Sequence, residues 1–391
     1  MSSCIVIIDH SFRINSRIMK KAIQNHKEIA VIYPSPWYWS KELRDVFKKG
    51  DVSFFIKSIN YFASELKKEL GLDLYLIKSN NPASIISDAC KEFNVDKVYY
   101  DMPLFGKSSW LDLDGLDCEI IDSDSHDPQC TKMTAKSRWV YWSKNRIKYS
   151  EPEYNSKINL ELDLNKYIPD EDKYTEILTD IANIYKRLLD IIPSYYETRN
   201  KRDGSTKLSK YLHHGLIDAN QIISGILDIV PGFIEKDNPV VPFLRQMAFR
   251  EISIRKVRTR NLYIGLPLED WLTACIDQKS VDHLLIEKEQ KFTEAQLFES
   301  KTGDELLDRE IKRLKSDGWL PNRSRMWISG EVYYGMGGGL KSLKALIKLF
   351  DKYSDDGQSP NNYISCIEAM RLQYGKVMKY NRDRTFKLLD N

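Results

Sequence analysis

Asp203-Gly204-Ser205-Thr206-Lys207-Leu208-Ser209-Lys210-Tyr211-Leu212-His213-His214-Gly215 is the stretch on which the reading of this chain turns. Asp203 and Gly204 predict a turn, Ser205 and Thr206 are favourable N-cap residues, and Lys207 to His214 reads as a short helix that Gly215 stops. A helix start offering two hydroxyls and free backbone N–H groups is a place to hold a phosphate. A capped helix without any ligand has the same sequence, so the surrounding chain must decide.

Before this stretch, strand and helix patterns alternate. Apolar runs at Ile5 to Ile8, Ile29 to Tyr33, Leu72 to Ile77, Lys97 to Tyr100 and Cys118 to Ile121 read as strands. Arg17 to His26, Phe54 to Leu70 and Pro82 to Phe93 read as helices between them. Such alternation predicts an α/β domain over residues 1–121, with a parallel sheet covered by helices. No Gly-x-Gly-x-x-Gly follows the first strand, which argues against a dinucleotide site of the Rossmann type there. Residues 122–171 are polar and without sustained periodicity, and read as an interdomain connection. Beyond them the period turns helical at Tyr174 to Ile192, Asp218 to Ile229, Val241 to Arg258, Glu269 to Cys275, Thr302 to Ser316, Leu340 to Tyr353 and Tyr363 to Leu372. An all-α second domain over 172–391 is expected.

Composition narrows the class. With 391 residues, 42% hydrophobic and 29% charged, the chain is of soluble globular type, and no apolar run nears the roughly 18 residues of a membrane span. Cys4, Cys90, Cys118, Cys130, Cys275 and Cys366 form no Cys-x-x-Cys pair, which points away from zinc or a disulfide framework and towards a reducing cytoplasm. The net charge of +3 does not announce a nucleic-acid partner, but its distribution is uneven. Arg250, Arg255, Lys256, Arg258 and Arg260 cluster, as do Arg323 and Arg325, and Lys376, Lys379, Arg382, Arg384 and Lys387 near the end. Each cluster by itself reads better as a solvated helix face. The six histidines have no metal spacing.

Tyr195, Arg199 and Asn200 followed by Ser205-Thr206-Lys207-Leu208-Ser209-Lys210-Tyr211-Leu212-His213-His214-Gly215 resemble the FAD-binding segment of the photolyase and cryptochrome family. The class II pattern, Arg-Asn and then Ser-x-Leu-Ser-Pro-Tyr-Leu-His-Phe-Gly, is the variant most similar. Gly318-Trp319-Leu320-Pro321-Asn322-Arg323-Ser324-Arg325-Met326 resembles the family's Gly-Trp-Met-His-Asn-Arg-x-Arg-Met, the most specific block in the chain. Asp351-Lys352-Tyr353 and Asp356-Gly357-Gln358-Ser359-Pro360-Asn361-Asn362-Tyr363 resemble its Asp-Lys-Tyr and Asp-Gly-Arg-Asp-Pro-Asn-Gly-Tyr, with Ser359 in place of the second Asp.

The resemblance implies an FAD site built by Tyr195, Ser205, Thr206, Leu208, Ser209, Arg250, Asn322, Arg325, Asp356 and Asn361. Asp356 would pair with Arg325 beside the isoalloxazine, and Asn361 would face the flavin N5. Gln246 stands where repair enzymes carry a Glu that touches the lesion; an amide can hydrogen-bond a pyrimidine edge but cannot act as an acid. Gln246, Asn322 and Asn361 are thus the implied catalytic residues. Phe249, Arg255, Arg258 and Arg323 are the implied DNA contacts, Phe249 standing where many members carry a Trp wedge. The implied activity is light-driven repair of ultraviolet pyrimidine dimers by a monomer, through an electron from reduced flavin. Three positions of the family's tryptophan chain are here Leu307, Ile328 and Gly335, leaving Trp319, Trp327, Tyr333 or Tyr334 for any other route. Gly335 to Gly339 is expected to break a helix. Asp9, Ser11, Phe12, Arg13 and Asn15 echo the first loop of the family's antenna domain, and the antenna pigment stays open. A cryptochrome-like photoreceptor is the first rival: Gln246, Phe249 and Ser359 favour it, while the absence of a long C-terminal extension speaks against it. A nucleic-acid-binding flavoprotein without photochemistry is the second.

Overall fold

A computed structural model of the chain describes residues 2–34, 49–79, 81–104, 118–123, 133–145, 154, 157–201, 204–229, 234–262, 266–287 and 289–374. Asp203, Cys130 and the basic cluster from Lys376 to Lys387 lie outside them. The sheet is built around β1 (Ser3–Ile7), apolar from Cys4 to Ile7 and buried on both faces, as a central parallel strand requires. β2 (Glu28–Pro34) and β4 (Lys97–Asp101) flank it in parallel, β3 (Leu74–Ile77) lies outside β2, and β5 (Cys118–Ile121) outside β4. Register follows the pleat: Cys4 sits opposite Ile29 on one side and Lys97 on the other. Three helices connect these strands: α1 (Arg17–Asn25), α2 (Lys49–Glu65, prolonged by a π turn, Leu66–Leu70) and α3 (Pro82–Glu92). The five expected strands and three expected helices are all there.

Alternate residues of β1 serve two cores. Ile5 and Ile7 face a cluster that includes Ile86 and Ala89 of α3. Cys4, Val6 and Ile8 face a second cluster, which runs without a break through Phe12, Phe55 and Phe62 into Leu188, Tyr195, Leu208, Tyr211 and Leu244 of the helical part. One face of the sheet is therefore sealed by the helices that carry the site. A further core, from Val257 to Met370, lies within the helical part.

The polar stretch read as a connection holds more structure than expected. It forms helix α4 (Ala135–Lys144), started by Thr134, whose hydroxyl accepts from Ser137 N, and two short strands, β6 (Ile158–Asn159) against β2 and β7 (Asn165–Lys166) antiparallel to β3. Trp139 and Trp142 of α4 are buried, and Arg138 meets Glu251 at 2.5 Å with both side chains nearly inaccessible. Two tryptophans and an ion pair anchor α4, and neither feature produces an apolar period.

The helical part comprises α5 (Glu171–Ile191), α6 (Tyr195–Thr198), α7 (Ser209–His213), α8 (Ala219–Ile229), α9 (Val241–Thr259), α10 (Leu268–Cys275), α11 (Gln278–Leu284), α12 (Glu294–Glu299), α13 (Glu305–Asp317), α14 (Asn322–Gly335), α15 (Gly339–Tyr353) and α16 (Pro360–Tyr374). The glycine run does end a helix: α14 stops at Gly335 and α15 begins at Gly339. Gly335 itself is fixed by space, because a Cβ there would lie 2.0 Å from the Phe292 ring. No helix among the described residues is long and apolar enough to cross a membrane.

Candidate functional site

The opening stretch folds differently at its start from the expectation. Lys207 has a positive φ of 54°, so the helical course cannot begin there, and α7 starts at Ser209 after Leu208, with no side-chain cap. Ser205 and Thr206 are consequently turn residues and not N-caps. The Ser205 hydroxyl accepts from Lys207 N at 3.4 Å, and the Ser205 carbonyl accepts from Arg187 Nε at 2.9 Å. A helix of five residues adds little dipole, so any anion held here is held by side chains. The far end follows expectation: Gly215, at φ +63°, stops α7, and a Cβ on it would lie 1.8 Å from the His10 carbonyl oxygen. Arg13 donates to the Gly215 carbonyl at 2.9 Å and to the Ser123 carbonyl at 2.8 Å. The first loop of the sheet thus clamps the end of α7. Asp101 braces that loop, accepting from His10 N, Ser11 N and the Ser11 hydroxyl.

Opposite the turn stands the block that opens α14. The two stretches, more than a hundred residues apart, enclose one cleft of about 390 Å³, a size that suits a small-molecule or cofactor site. Tyr195, Arg199, Asn200, Ser205, Thr206, Lys207, Leu208 and Ser209 form one wall; Trp319, Leu320, Asn322, Arg323 and Arg325 form the other; Gln246, Asp356 and Asn361 complete it. The walls touch: Lys207 Nζ lies 5.3 Å from the centre of the Trp319 ring, and Lys210 Nζ lies 3.7 Å from Asp355 Oδ2. Arg325 donates to Asp356 Oδ1 at 2.8 Å and to the Ser354 hydroxyl at 3.0 Å, and Ser354 donates to the same Asp356 oxygen at 2.7 Å. Burial alone would raise the Asp356 pKa, but Arg325 and the Ser354 hydroxyl outweigh it and hold the carboxyl at about 2. Arg325 and Asp356 form a fixed, ionised pair at the cleft wall. A smaller cavity of about 30 Å³ adjoins it, lined by His213, Arg250, Ser209, Asp356 and Asn361. Arg250 lies there, donating to the Leu212 carbonyl at 2.9 Å.

Solved structures share this layout over almost the whole chain. A cryptochrome of Synechocystis superposes with a TM-score of 0.73 at 15% identity, over 100% of this chain and 86% of that one. The fold is that of the photolyases and cryptochromes. A class III photolyase of Agrobacterium tumefaciens gives a TM-score of 0.67 at 16% identity over 96% and 80% of the two chains. An archaeal photolyase of Sulfolobus tokodaii, whose structure holds two FAD molecules, gives 0.67 at 13% identity over 98% and 87%. By sequence, a deoxyribodipyrimidine photo-lyase of Oryza sativa is 26% identical over 182 residues, 45% of this chain, a stretch that spans about a third (34%) of that relative. No protein-family model matches.

Within this photolyase fold, all the residues expected around a cofactor line the cleft except Arg250, which lines the adjoining cavity. The expected outer surface is less uniform. Phe249 is 54% exposed on α9, three residues from Gln246, where an aromatic side chain can meet a partner. Arg323 lines the cleft itself. Arg255 is partly buried, and burial, with Arg138 and Arg260 nearby, lowers its pKa. Arg258, expected as a DNA contact, is engaged within the fold: its guanidinium donates to the Pro103 carbonyl at 2.5 Å, the Met102 carbonyl at 2.8 Å and Asp122 at 3.0 Å, tying α9 to the end of β4. A cation so engaged is a fastener between sheet and helices.

Leu307 and Ile328 are buried apolar residues, and Phe292 fills the space a side chain at 335 would need. Of the four aromatic residues left for an electron route, Trp319 alone lines the cleft among the described residues. Trp327 is buried in the C-terminal core, and Tyr333 and Tyr334 pair edge to face with ring centres 5.4 Å apart. Sequence reasoning did not assign Arg199, Asn200, Lys207 and Trp319 to the cleft wall, although all four lie inside or beside the quoted motifs. Lys207 was masked by its backbone: a lysine at positive φ carries no local signal.

Proposed function

We propose that this chain is a divergent member of the photolyase and cryptochrome family, nearest in motif to class II, that binds FAD in the cleft and repairs ultraviolet pyrimidine dimers in DNA under light. The observation that carries the reading is the meeting of two distant motif blocks as opposite walls of one cleft, with the Arg325–Asp356 pair between them. The polar lining fits a dinucleotide: the hydroxyls of Ser205, Thr206 and Ser209 and the cations of Arg199 and Lys207 suit its phosphates, and Asn322, Arg325 and Asn361 suit the edge of a flavin ring. When bound, FAD would supply a light-absorbing electron donor, the chemistry needed to split a cyclobutane dimer and recover the electron. Gln246, in the cleft wall, would hydrogen-bond the extruded bases, and exposed Phe249 would fill the gap they leave. Arg323 at the cleft would add phosphate affinity that falls with salt.

Gln246 also favours a second reading, a blue-light photoreceptor, because an amide cannot protonate a lesion as a carboxylic acid can. Blue light on the FAD-loaded protein with a dimer-containing oligonucleotide decides between them. Loss of the lesion supports repair; flavin photoreduction with the lesion intact supports sensing; neither response refutes both.

A further inference from the structure

Lys207 stands at φ +54°, a backbone region that a lysine rarely occupies and that suits Gly or Asn better. Its neighbours Thr206 and Leu208 are buried, so the turn is anchored on both sides and the long Lys207 side chain is the part that can swing. Its ammonium has no hydrogen-bond or ion-pair partner among the described residues. It faces an aromatic ring instead: Nζ lies 5.3 Å from the centre of Trp319, on the opposite wall, within the range of cation–π attraction. Trp319 is carried on fixed backbone. The Gly318 carbonyl accepts from Asp355 N at 2.7 Å, and Gly318, at φ +66°, sits so close that a Cβ on it would lie 2.1 Å from Asp355 Oδ1. Lys207 and Trp319 are both partly exposed, while Thr206, Leu208, Leu320 and Asp356 of the same lining are buried, which sets the pair at the rim. A contact between the two walls at the rim must break before a ligand passes in either direction.

We propose that Lys207 and Trp319 form a latch across the mouth of the cleft, which slows entry and release of the ligand alike and leaves its affinity almost unchanged. This rests on the flavin reading, which supplies the probe, FAD. The strained backbone at Lys207 is what directs the ammonium across the mouth.

The test times entry and release of FAD by flavin fluorescence in wild type, Lys207→Asn, Trp319→Leu and the double variant, with Lys207→Arg as the conservative replacement. Asparagine tolerates the positive φ, so Lys207→Asn removes the cation and keeps the turn. A lysine that only held a phosphate would speed release alone when lost, and the double variant separates that effect from the latch. Lys207→Asn should speed both entry and release by a factor roughly two- to five-fold larger with Trp319 present than in the Trp319→Leu background. That is the weight of a cation–π contact at a partly exposed site. Lys207→Arg should stay within about two-fold of wild type. Trp319→Met, run in parallel, guards against a fold lost to the leucine replacement. Equal factors in the two backgrounds overturn the proposal, because the lysine then acts without the ring. A coupling seen in release alone also overturns it, since the pair then braces the loaded site and does not gate it. Wild type that binds no FAD refutes the flavin reading itself and this inference with it.

Discussion

Replacing His214 with phenylalanine, the residue of the class II pattern at that place, should flatten the acid side of the stability profile. His214 is 4% exposed and packed against Phe54 (ring centres 5.1 Å apart), Phe55 (6.5 Å) and His213 (4.8 Å). Burial, then the neighbouring His213 and Lys210, lowers its pKa well below 6.5, against weaker opposing effects of Asp356 and Asp355. A histidine held neutral in the fold but free to charge in the unfolded chain gives stability that is complete above pH 6.5 and lost as pH falls through the unfolded value. If the buried ring stays neutral throughout, moving from pH 7.5 to 5.5 costs about 1.4 kcal/mol, the equivalent of one pKa unit. Phenylalanine cannot titrate, and it also removes the buried Nε2, which has no hydrogen-bond partner among the described residues. Urea denaturation of wild type and His214→Phe at both pH values isolates the contribution, since all other titrating groups cancel in the difference. The variant should lose about 1.4 kcal/mol less than wild type between the two pH values. Parallel losses would refute the argument and mean that the ring accepts a proton inside the fold.

Arg325→Ala should destabilise the fold by about 3–5 kcal/mol in denaturant titration, because it leaves the buried Asp356 carboxylate without its cation. Arg323→Ala should weaken binding to duplex DNA and reduce the slope of log affinity against log salt by about one; an unchanged slope places the phosphate contacts elsewhere. Arg258→Ala should do the converse, leaving the salt slope alone while costing about 1.5–3 kcal/mol of stability through the lost bonds to Met102, Pro103 and Asp122. Gly335→Ala should cost about 1–3 kcal/mol by driving a methyl group into the Phe292 ring, and thermal melting at wild-type level would show that the ring can move aside.

The parts of the fold that sequence made legible are those whose cause is local. β1 could be read because a central parallel strand carries an unbroken apolar run, here Cys4 to Ile7, and α1, α3 and α15 because one face of each is buried and the other wet. α4 was missed because Trp139, Trp142 and the Arg138–Glu251 pair anchor it across 113 positions of sequence. α14 shows no apolar period for a related reason: it is buried nearly all round, with Ser324, Trp327, Ser329, Gly330 and Tyr333 all inside, so it was legible only from the motif and from the glycine run that ends it. The bonds of Arg258 to Met102, Pro103 and Asp122 were not legible, because charge density in sequence does not reveal which cations have acceptors waiting in another part of the fold. The motif blocks at 205–209 and 318–326 meet at one cleft, and motif order points to such contacts between distant segments where periodicity cannot.

Charge placement gives the cleft a direction. Arg325 is neutralised by Asp356, held ionised at about pKa 2, so this pair adds polarity but almost no net charge to its end of the wall. Further positive charge comes from the turn side, where Arg199 and Lys207 stand, and from Arg323 at the start of α14. Lys207 also leans on the Trp319 ring, which holds its ammonium at the junction of the two walls. A ligand with a charged half and a neutral, hydrogen-bonding half would therefore settle in one sense, its anionic groups towards the turn and its neutral ring towards Arg325, Asp356 and Asn361. The positive φ of Lys207 is what aims that side chain, and it explains why the turn, and not a helix start, occupies the wall: a helix beginning at Lys207 would carry the ammonium along a different course.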